Sequence, residues 1–450
     1  MMKRHYSLLF TALMTLAPAA MAIAAAVDSR AADAKIQLDA TLSAIVVDPQ
    51  HPIASLSVLA IRAGKVVYQQ QFGARYLGRD GTSLPAGPET MYRVASVSKL
   101  VTTIGLMRLI EEGKLSLDVD VGDYLGYPVR NPHFPAQPVT LRTLLTHTSS
   151  LRDAGAYFWG ADTTLRDVFT PGTKAYGSGR MWAGNAGPGA YFTYCNLGWG
   201  VIGTVMEKVS GERFDRLMRR LVLAPMAIRG GYNPADFTAA EIDDVATLYR
   251  KRTVDTERWD LAGPWIAQTD DFHTQAPVPP AGLANYVVGS NATVFSPTGG
   301  LRISAADLGK VMLMLINHGQ FQGRQIVQPA SLALMFSRQW TYDDAKRNGD
   351  TANGQFQAWG LGNQQFTRFS DGRDALLPGG GWYGVGHLGD AYGLYSDFVV
   401  DLQHQNGWIA LIGGTGTDPE QHAGPLALTG YEQRINAALY AGAIVGHIGE

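Results

Sequence analysis

The sequence predicts an α+β fold: one antiparallel sheet flanked by terminal helices, plus a mainly helical lobe. Three observations carry this. Hairpin-like strand segments lie near both ends of the chain. The stretch between them, from about 115 to 290, reads mostly as helical patches broken by Pro/Gly loops. Alternating βα units, the mark of a doubly wound parallel sheet, are missing. Two strand groups separated by a helical insert form a single sheet most simply when both ends of the chain contribute to it. The expected division is a leader at 1–26, a composite sheet domain from 27–95 and 291–450, and a helical lobe at 96–290. With 450 residues, 46% of them hydrophobic, the chain is long enough for a large core.

Each element has its own signal. Residues 31–47 have helical spacing. SVLAIRAGKVVYQQQFG reads as a hairpin, because two β-rich runs flank the turn residues Ala63-Gly64-Lys65. RDGTSLPAGPET is loop. Residues 97–112 read as a helix ended by Gly113. Residues 197–209 (LGWGVIGTVMEKV) and 304–318 (SAADLGKVMLMLINH) are further helices. Ser304 is the expected N-cap of the second, with Asp307 three residues on. LLPGGGWYGVGHLGD is a glycine-rich approach to strands. AYGLYSDFVVDL and NGWIALIGG then read as an antiparallel pair, and YEQRINAALYAGAIV closes the chain as a helix.

The N-terminus reads as an export signal. MMKRHY is positive, SLLFTALMTLAPAAMA is apolar and short, and Ala20-Met21-Ala22 or Ala24-Ala25-Ala26 offers a cleavage site. The apolar stretch falls short of the ~20 residues a spanning helix needs. The mature protein is therefore expected in the periplasm or secreted, without stable membrane insertion. A formal net charge of −2 gives no attraction to nucleic acid or anionic lipid. The single cysteine, Cys195, allows no internal disulfide.

The chemistry is carried by MYRVASVSK, residues 91–99. Ser96 stands three residues before Lys99, and an apolar run follows at once. If Ser96 opens the helix, both side chains share one face. A helix start presents free backbone N–H groups and partial positive charge, which stabilise an oxyanion and disfavour a protonated lysine. Desolvation acts in the same direction. A neutral amine could then take the serine proton, as an activated nucleophile requires. The plainer alternative is a capping serine followed by a solvated lysine. No other lysine in the chain has a serine three residues before it.

Downstream, FTYCNLGWG carries Tyr194-Cys195-Asn196, a Y-x-N, and GVGHLGD carries His387-Leu388-Gly389. S-x-x-K, Y-x-N and a basic residue-x-Gly, in that order, resemble the signature of the penicillin-recognising serine hydrolases. The resemblance is to the branch holding class C β-lactamases, D-alanyl-D-alanine peptidases, D-aminopeptidases and related esterases. LRTLLTHTSSL, PGAYFTYCNLGWGVIGTVMEKVSG and SPTGGLRISAADLGKVM fit the same branch, so the likeness runs from about 50 to 440. It implies a β-lactamase/transpeptidase-like fold and acyl transfer through a covalent acyl-enzyme, without metal or cofactor. By motif position, Ser96 is the implied nucleophile, Lys99 its base and Tyr194 a second proton carrier. Asn196 is the implied donor to the substrate, and His387 takes the place of a lysine. The backbone N–H groups of Ser96 and of Asp390, just after Gly389, are the implied oxyanion hole. The implied partner is a small ester, amide or short peptide. A sensor that acylates slowly or not at all is the second reading.

Other residues have blander readings. Tyr194 and Asn196 could be turn residues. Cys195 reads as a small packed hydrophobe, His147 as a folding-related loop residue, and Trp199 and Trp382 as buried. Two departures bear on substrate. Leu388 stands where carboxylate-binding relatives carry a hydroxyl residue, and Asp390 adds negative charge nearby. Both point to an ester, or an amide lacking a free carboxylate.

Other hydrolase scaffolds find no support. The chain has no G-x-S-x-G, no H-E-x-x-H among its ten histidines and no G-x-x-x-x-G-K-[ST].

Overall fold

A computed structural model describes residues 16–254, 256–366, 372–419 and 426–448. Part of the expected leader, residues 1–15, lies outside the described residues. The first helix, α1 (Leu16–Val46), runs unbroken from within the leader through the segment expected to start at 31. No helix among the described residues is long and apolar enough to cross a membrane.

The expected hairpin is β1 (Ser55–Arg62) and β2 (Lys65–Leu77). Its turn residues Ala63 and Gly64 both have positive φ, +47° and +74°. A two-residue turn with that geometry matches the right-handed twist of the flanking strands. The helix that follows Ser96 is α2 (Val97–Glu111), and α3 (Leu197–Ser210) follows Y-x-N, closed by Gly211 in the left-handed conformation at φ +71°. Next comes α4 (Ala305–Ile316), whose N-cap Ser304 accepts a hydrogen bond from Asp307 N–H at 3.0 Å. Strands β3 (Gly384–Ala391), β4 (Leu394–Asp401) and β5 (Asn406–Ile412) precede the closing helix α5 (Gly430–Leu439).

The sheet joins the two ends of the chain. β5 pairs antiparallel with β1, placing Leu59 opposite Ile409. The central order is β3-β4-β5-β1-β2, and short strands at both edges bring the total among the described residues to nine. β1 is buried on both faces, and its side chains alternate. Leu56, Val58 and Ala60 join Trp408, Ile435, Leu38 and Leu42 on the side of α1 and α5. Leu59 and Ile61 join Leu308, Leu100 and Ile104 on the side of α2 and α4. The result is a helix–sheet–helix sandwich, an α+β arrangement.

α2 lies deep. Twelve of its residues are buried, four of them the polar Ser98, Lys99, Thr102 and Thr103, so it is enclosed almost all round. Between residues 96 and 290 the helices are mostly short. That stretch also holds the strands Leu248–Lys251 and Trp265–Thr269, and the first pairs in parallel with Gly414–Thr415. A further short pair, Met91–Arg93 with Arg302–Ser304, ties the chain just before Ser96 to the segment following Thr298.

Candidate active site

Ser96 stands at the N-cap of α2 and makes no side-chain capping bond. Its hydroxyl is therefore not spent on the helix, and its own N–H has no intrahelical acceptor. The residue before it, Ala95, is buried with φ +44°, a left-handed conformation uncommon outside glycine. Val94 N–H donates to Leu301 O at 2.9 Å, which fixes the approach to this turn.

Lys99 is fully buried, which removes the solvated-lysine alternative. Its Nζ lies 3.0 Å from Ser96 Oγ, 2.8 Å from Asn196 Oδ1 and 3.1 Å from the Thr298 carbonyl oxygen. A neutral amine has two N–H groups and one lone pair. Asn196 Oδ1 and the Thr298 carbonyl are pure acceptors and take the two N–H groups. The lone pair is left for the Ser96 O–H. Burial holds the Lys99 amine down to about 7, opposed by the Asp153 carboxylate. The uncharged base is thus well populated at neutral pH.

Asn196 owes its orientation to Asp153. Its Nδ2 donates to Asp153 Oδ2 at 2.8 Å, and its Oδ1 also accepts from Thr298 Oγ1 at 2.5 Å. Only this amide orientation matches donors to acceptors on both sides. The amide N–H₂ expected to meet the substrate is thereby turned towards Asp153 in this structure. Asp153 also accepts the backbone N–H of Asn196 at 2.7 Å and of Leu197 at 3.0 Å. It therefore caps the start of α3, where a carboxylate is favoured. Asp153 and Thr298 were not among the residues singled out by sequence. Asp153 follows the quoted block ending at Leu151 by two residues, and Thr298 lies inside SPTGGLRIS.

Tyr194 turns its phenol towards the Ser96 side chain, and its ring lies 4.8 Å from Lys99 Nζ. Burial pushes this phenol above its ordinary value, so it is protonated at neutral pH. A protonated phenol here can donate a proton but cannot accept one as a base. His147 stacks on the Tyr194 ring at 4.4 Å, and its Nδ1 accepts Cys195 N–H at 3.0 Å. Burial, then Lys99 and His387, push its imidazole well below the usual range. It braces the Y-x-N segment as a neutral ring. Cys195 is buried with its thiol pushed up by that burial, and Trp199 and Trp382 are buried too.

His387 lies on β3, edge-on to Tyr194 with ring centroids 6.2 Å apart. Its Nδ1 donates to the Leu388 carbonyl at 2.6 Å, which leaves Nε2 as the bare acceptor. Burial, then Lys99, push it down to about 3, so it is neutral at physiological pH. It carries no charge with which to anchor a carboxylate. Gly389 lets β3 run against Ser96. A Cβ there would sit 3.0 Å from Ser96 N and 2.8 Å from Val94 O, and would also strike Ser396 Oγ. Asp390 follows on the same strand. Ser96, Tyr194, Asn196, His387, Gly389 and Asp390 all line one cleft of about 1190 Å³. The structure therefore brings together every residue that the three motifs nominated, with Lys99 beneath them.

A family model described as Beta-lactamase matches residues 21–433. The chain belongs to the beta-lactamase family. Over 169 residues this beta-lactamase family chain is 27% identical to Penicillin-binding protein 4* of Bacillus subtilis, a match covering 38% of the chain and 36% of that relative. The match thus spans little more than a third of that relative's length. The D-amino acid amidase from Ochrobactrum anthropi SV3 superposes with a TM-score of 0.62 at 16% identity, over 90% of this chain and 98% of that one. EstCE1, a hydrolase with promiscuous acyltransferase activity, gives 0.60 at 22% identity, over 92% and 98%. These likenesses establish the β-lactamase/transpeptidase-like fold of this family member.

The electrostatics set an expected pH profile. With Lys99 as the general base only its neutral form would support acylation, so kcat/KM for a neutral ester should climb with a single ionisation near 7 and then level. His387 stays neutral over that climb. Asp153→Asn removes an attraction that favours the charged amine, so it should move the limb to lower pH. A limb shifted upward, or not at all, contradicts this electrostatic assignment. Asp153→Ala goes further and strands the N–H groups at the start of α3. With about 1–3 kcal/mol lost per stranded buried donor, a drop of about 3 kcal/mol in unfolding free energy is expected, measurable by denaturant titration.

Proposed function

We propose that this chain is an exported serine hydrolase that cleaves an ester or amide bond through an acyl-enzyme on Ser96. The observation that carries this reading is a fully buried Lys99 whose Nζ lies 3.0 Å from Ser96 Oγ, with two acceptors, Asn196 Oδ1 and the Thr298 carbonyl, to occupy the N–H groups of the neutral amine. Neutral Lys99 takes the hydroxyl proton as Oγ attacks the carbonyl carbon. Negative charge gathers on the carbonyl oxygen, where the N–H groups of Ser96 and Asp390 would receive it. Collapse breaks the bond to the leaving group, which takes a proton from Lys99 directly or through the Tyr194 phenol. The acyl group remains on Ser96 Oγ. Water then attacks that ester as Lys99, neutral again, accepts its proton by the same route. The acid departs and the serine is restored.

A neutral His387 and an apolar Leu388 support a substrate without a free carboxylate at this position. The leader read at 1–26 supports export. Incubation with p-nitrophenyl acetate tests the reading. Repeated turnover, with a transient acetyl adduct located on the Ser96 peptide by mass spectrometry, is the expected result. Release of a single equivalent of p-nitrophenol would identify a slow-acylating sensor instead, and an adduct on another residue would refute the assignment.

A further inference from the structure

The cleft has an apolar mouth that the acyl-transfer machinery does not use. Four of the thirteen exposed large hydrophobic side chains among the described residues line this one cavity: Tyr157, Phe158, Val278 and Tyr392. Phe158 is 54% exposed and Val278 71%. Scattered exposed apolar groups are ordinary, but a cluster at the rim of a reactive cleft marks a binding surface.

The rim is held in place by its backbone. Immediately after Phe158, the carbonyl oxygens of Trp159, Gly160 and Thr163 all accept from the buried Asn291 Nδ2, at 3.2, 3.1 and 2.9 Å. Trp159 N–H donates to Thr293 Oγ1 at 3.2 Å. The wall carrying Val278 ends at Gly282, which packs against Ala161: a Cβ at Gly282 would lie 3.3 Å from the Ala161 Cβ. Tyr392 lies over the Arg93 guanidinium, 4.8 Å from ring centroid to Cζ, and Arg93 Nε donates to Gly299 O at 3.1 Å. That cation is thus engaged by the ring and a carbonyl. An apolar surface on anchored loops binds at little ordering cost.

We propose that this collar, formed by Tyr157, Phe158, Val278 and Tyr392, receives a bulky apolar group of the substrate, so that the preferred substrates are esters or amides carrying a chain or ring of about six carbons. The inference rests on the hydrolase reading above and names its substrate class. The apolar group belongs to either the acyl or the leaving-group side, and the test separates them.

The experiment compares kcat/KM for p-nitrophenyl hexanoate with p-nitrophenyl acetate, and for hexyl acetate with methyl acetate. Burial of each methylene is worth several-fold, so at least one pair should show a ratio of about tenfold or more. The pair that responds tells which side of the bond the collar holds. In the Tyr157→Ser, Phe158→Ser double variant that ratio should fall towards one. Val278→Asp, on a separate wall, should lower it too, which guards against collapse of a single loop. Thermal unfolding of each variant shows whether it is folded. Ratios near one in the wild type, or a ratio unmoved in both folded variants, would overturn the collar while acetate turnover still upholds the hydrolase. Absence of turnover on every ester would overturn both.

Discussion

Ser96→Ala is expected to abolish the acyl adduct and to reduce turnover of an activated ester to background, a loss of at least ~10⁴ in kcat/KM. Among the described residues, Ser96 Oγ is the one hydroxyl within hydrogen-bond distance of Lys99 Nζ, so no neighbour is placed to substitute for the attacking oxygen. The fold should be unaffected. An N-cap serine normally contributes about 1 kcal/mol through its side chain, but Ser96 makes no capping bond. The unfolding midpoint should therefore move by less than about 2 °C. Intact-protein mass spectrometry after a brief ester pulse checks the first point, and a thermal scan the second. A labelled, active alanine variant would show that the nucleophile lies elsewhere.

Lys99→Ala should lower the rate of acylation at pH 7 by about 10³, within the range that a positioned general base supplies. The residual activity should no longer rise through pH 7, because the group responsible for that limb is gone. Stability should change little, since two effects oppose. The Thr298 carbonyl loses a donor, and Asn196 Oδ1 keeps Thr298 Oγ1 as its partner. In return, the cost of desolvating an amine disappears. Stopped-flow acylation across pH 5–9 separates the base from a merely structural lysine: a structural role would lower the rate without removing the limb. A variant within tenfold of wild type at pH 7 would contradict the role.

Much of this was legible in the sequence. Ser96 and Lys99 share a helical face by spacing alone, and strand groups at both ends imply the joint sheet now seen in the β1–β5 pairing. The partners that make the amine a base were not legible. Thr298 lies 199 positions from Lys99, and Asp153 43 positions from Asn196. A lone polar residue carries no periodic signal. The amide orientation of Asn196 is likewise set only when the carboxylate and the amine face it from opposite sides. The strands Leu248–Lys251 and Trp265–Thr269 are too short and too polar to stand out from the loops around them. The start of α1 was missed because the leader and the following helix are one continuous helical run. His387 was legible as a replacement for lysine, but its neutrality depends on burial beside Lys99, which no motif reveals.

Acylation of Ser96 by this route requires an uncharged Lys99. The most direct test is a ¹³C NMR titration of protein labelled at the lysine ε-carbon, with Lys99→Met identifying the resonance. A Lys99 signal that titrates near pH 7, at the same pH as the rise in ester turnover, is the predicted result. A Lys99 that titrates near the ordinary lysine value of about 10.4, in an enzyme already at full activity at pH 8, would contradict it.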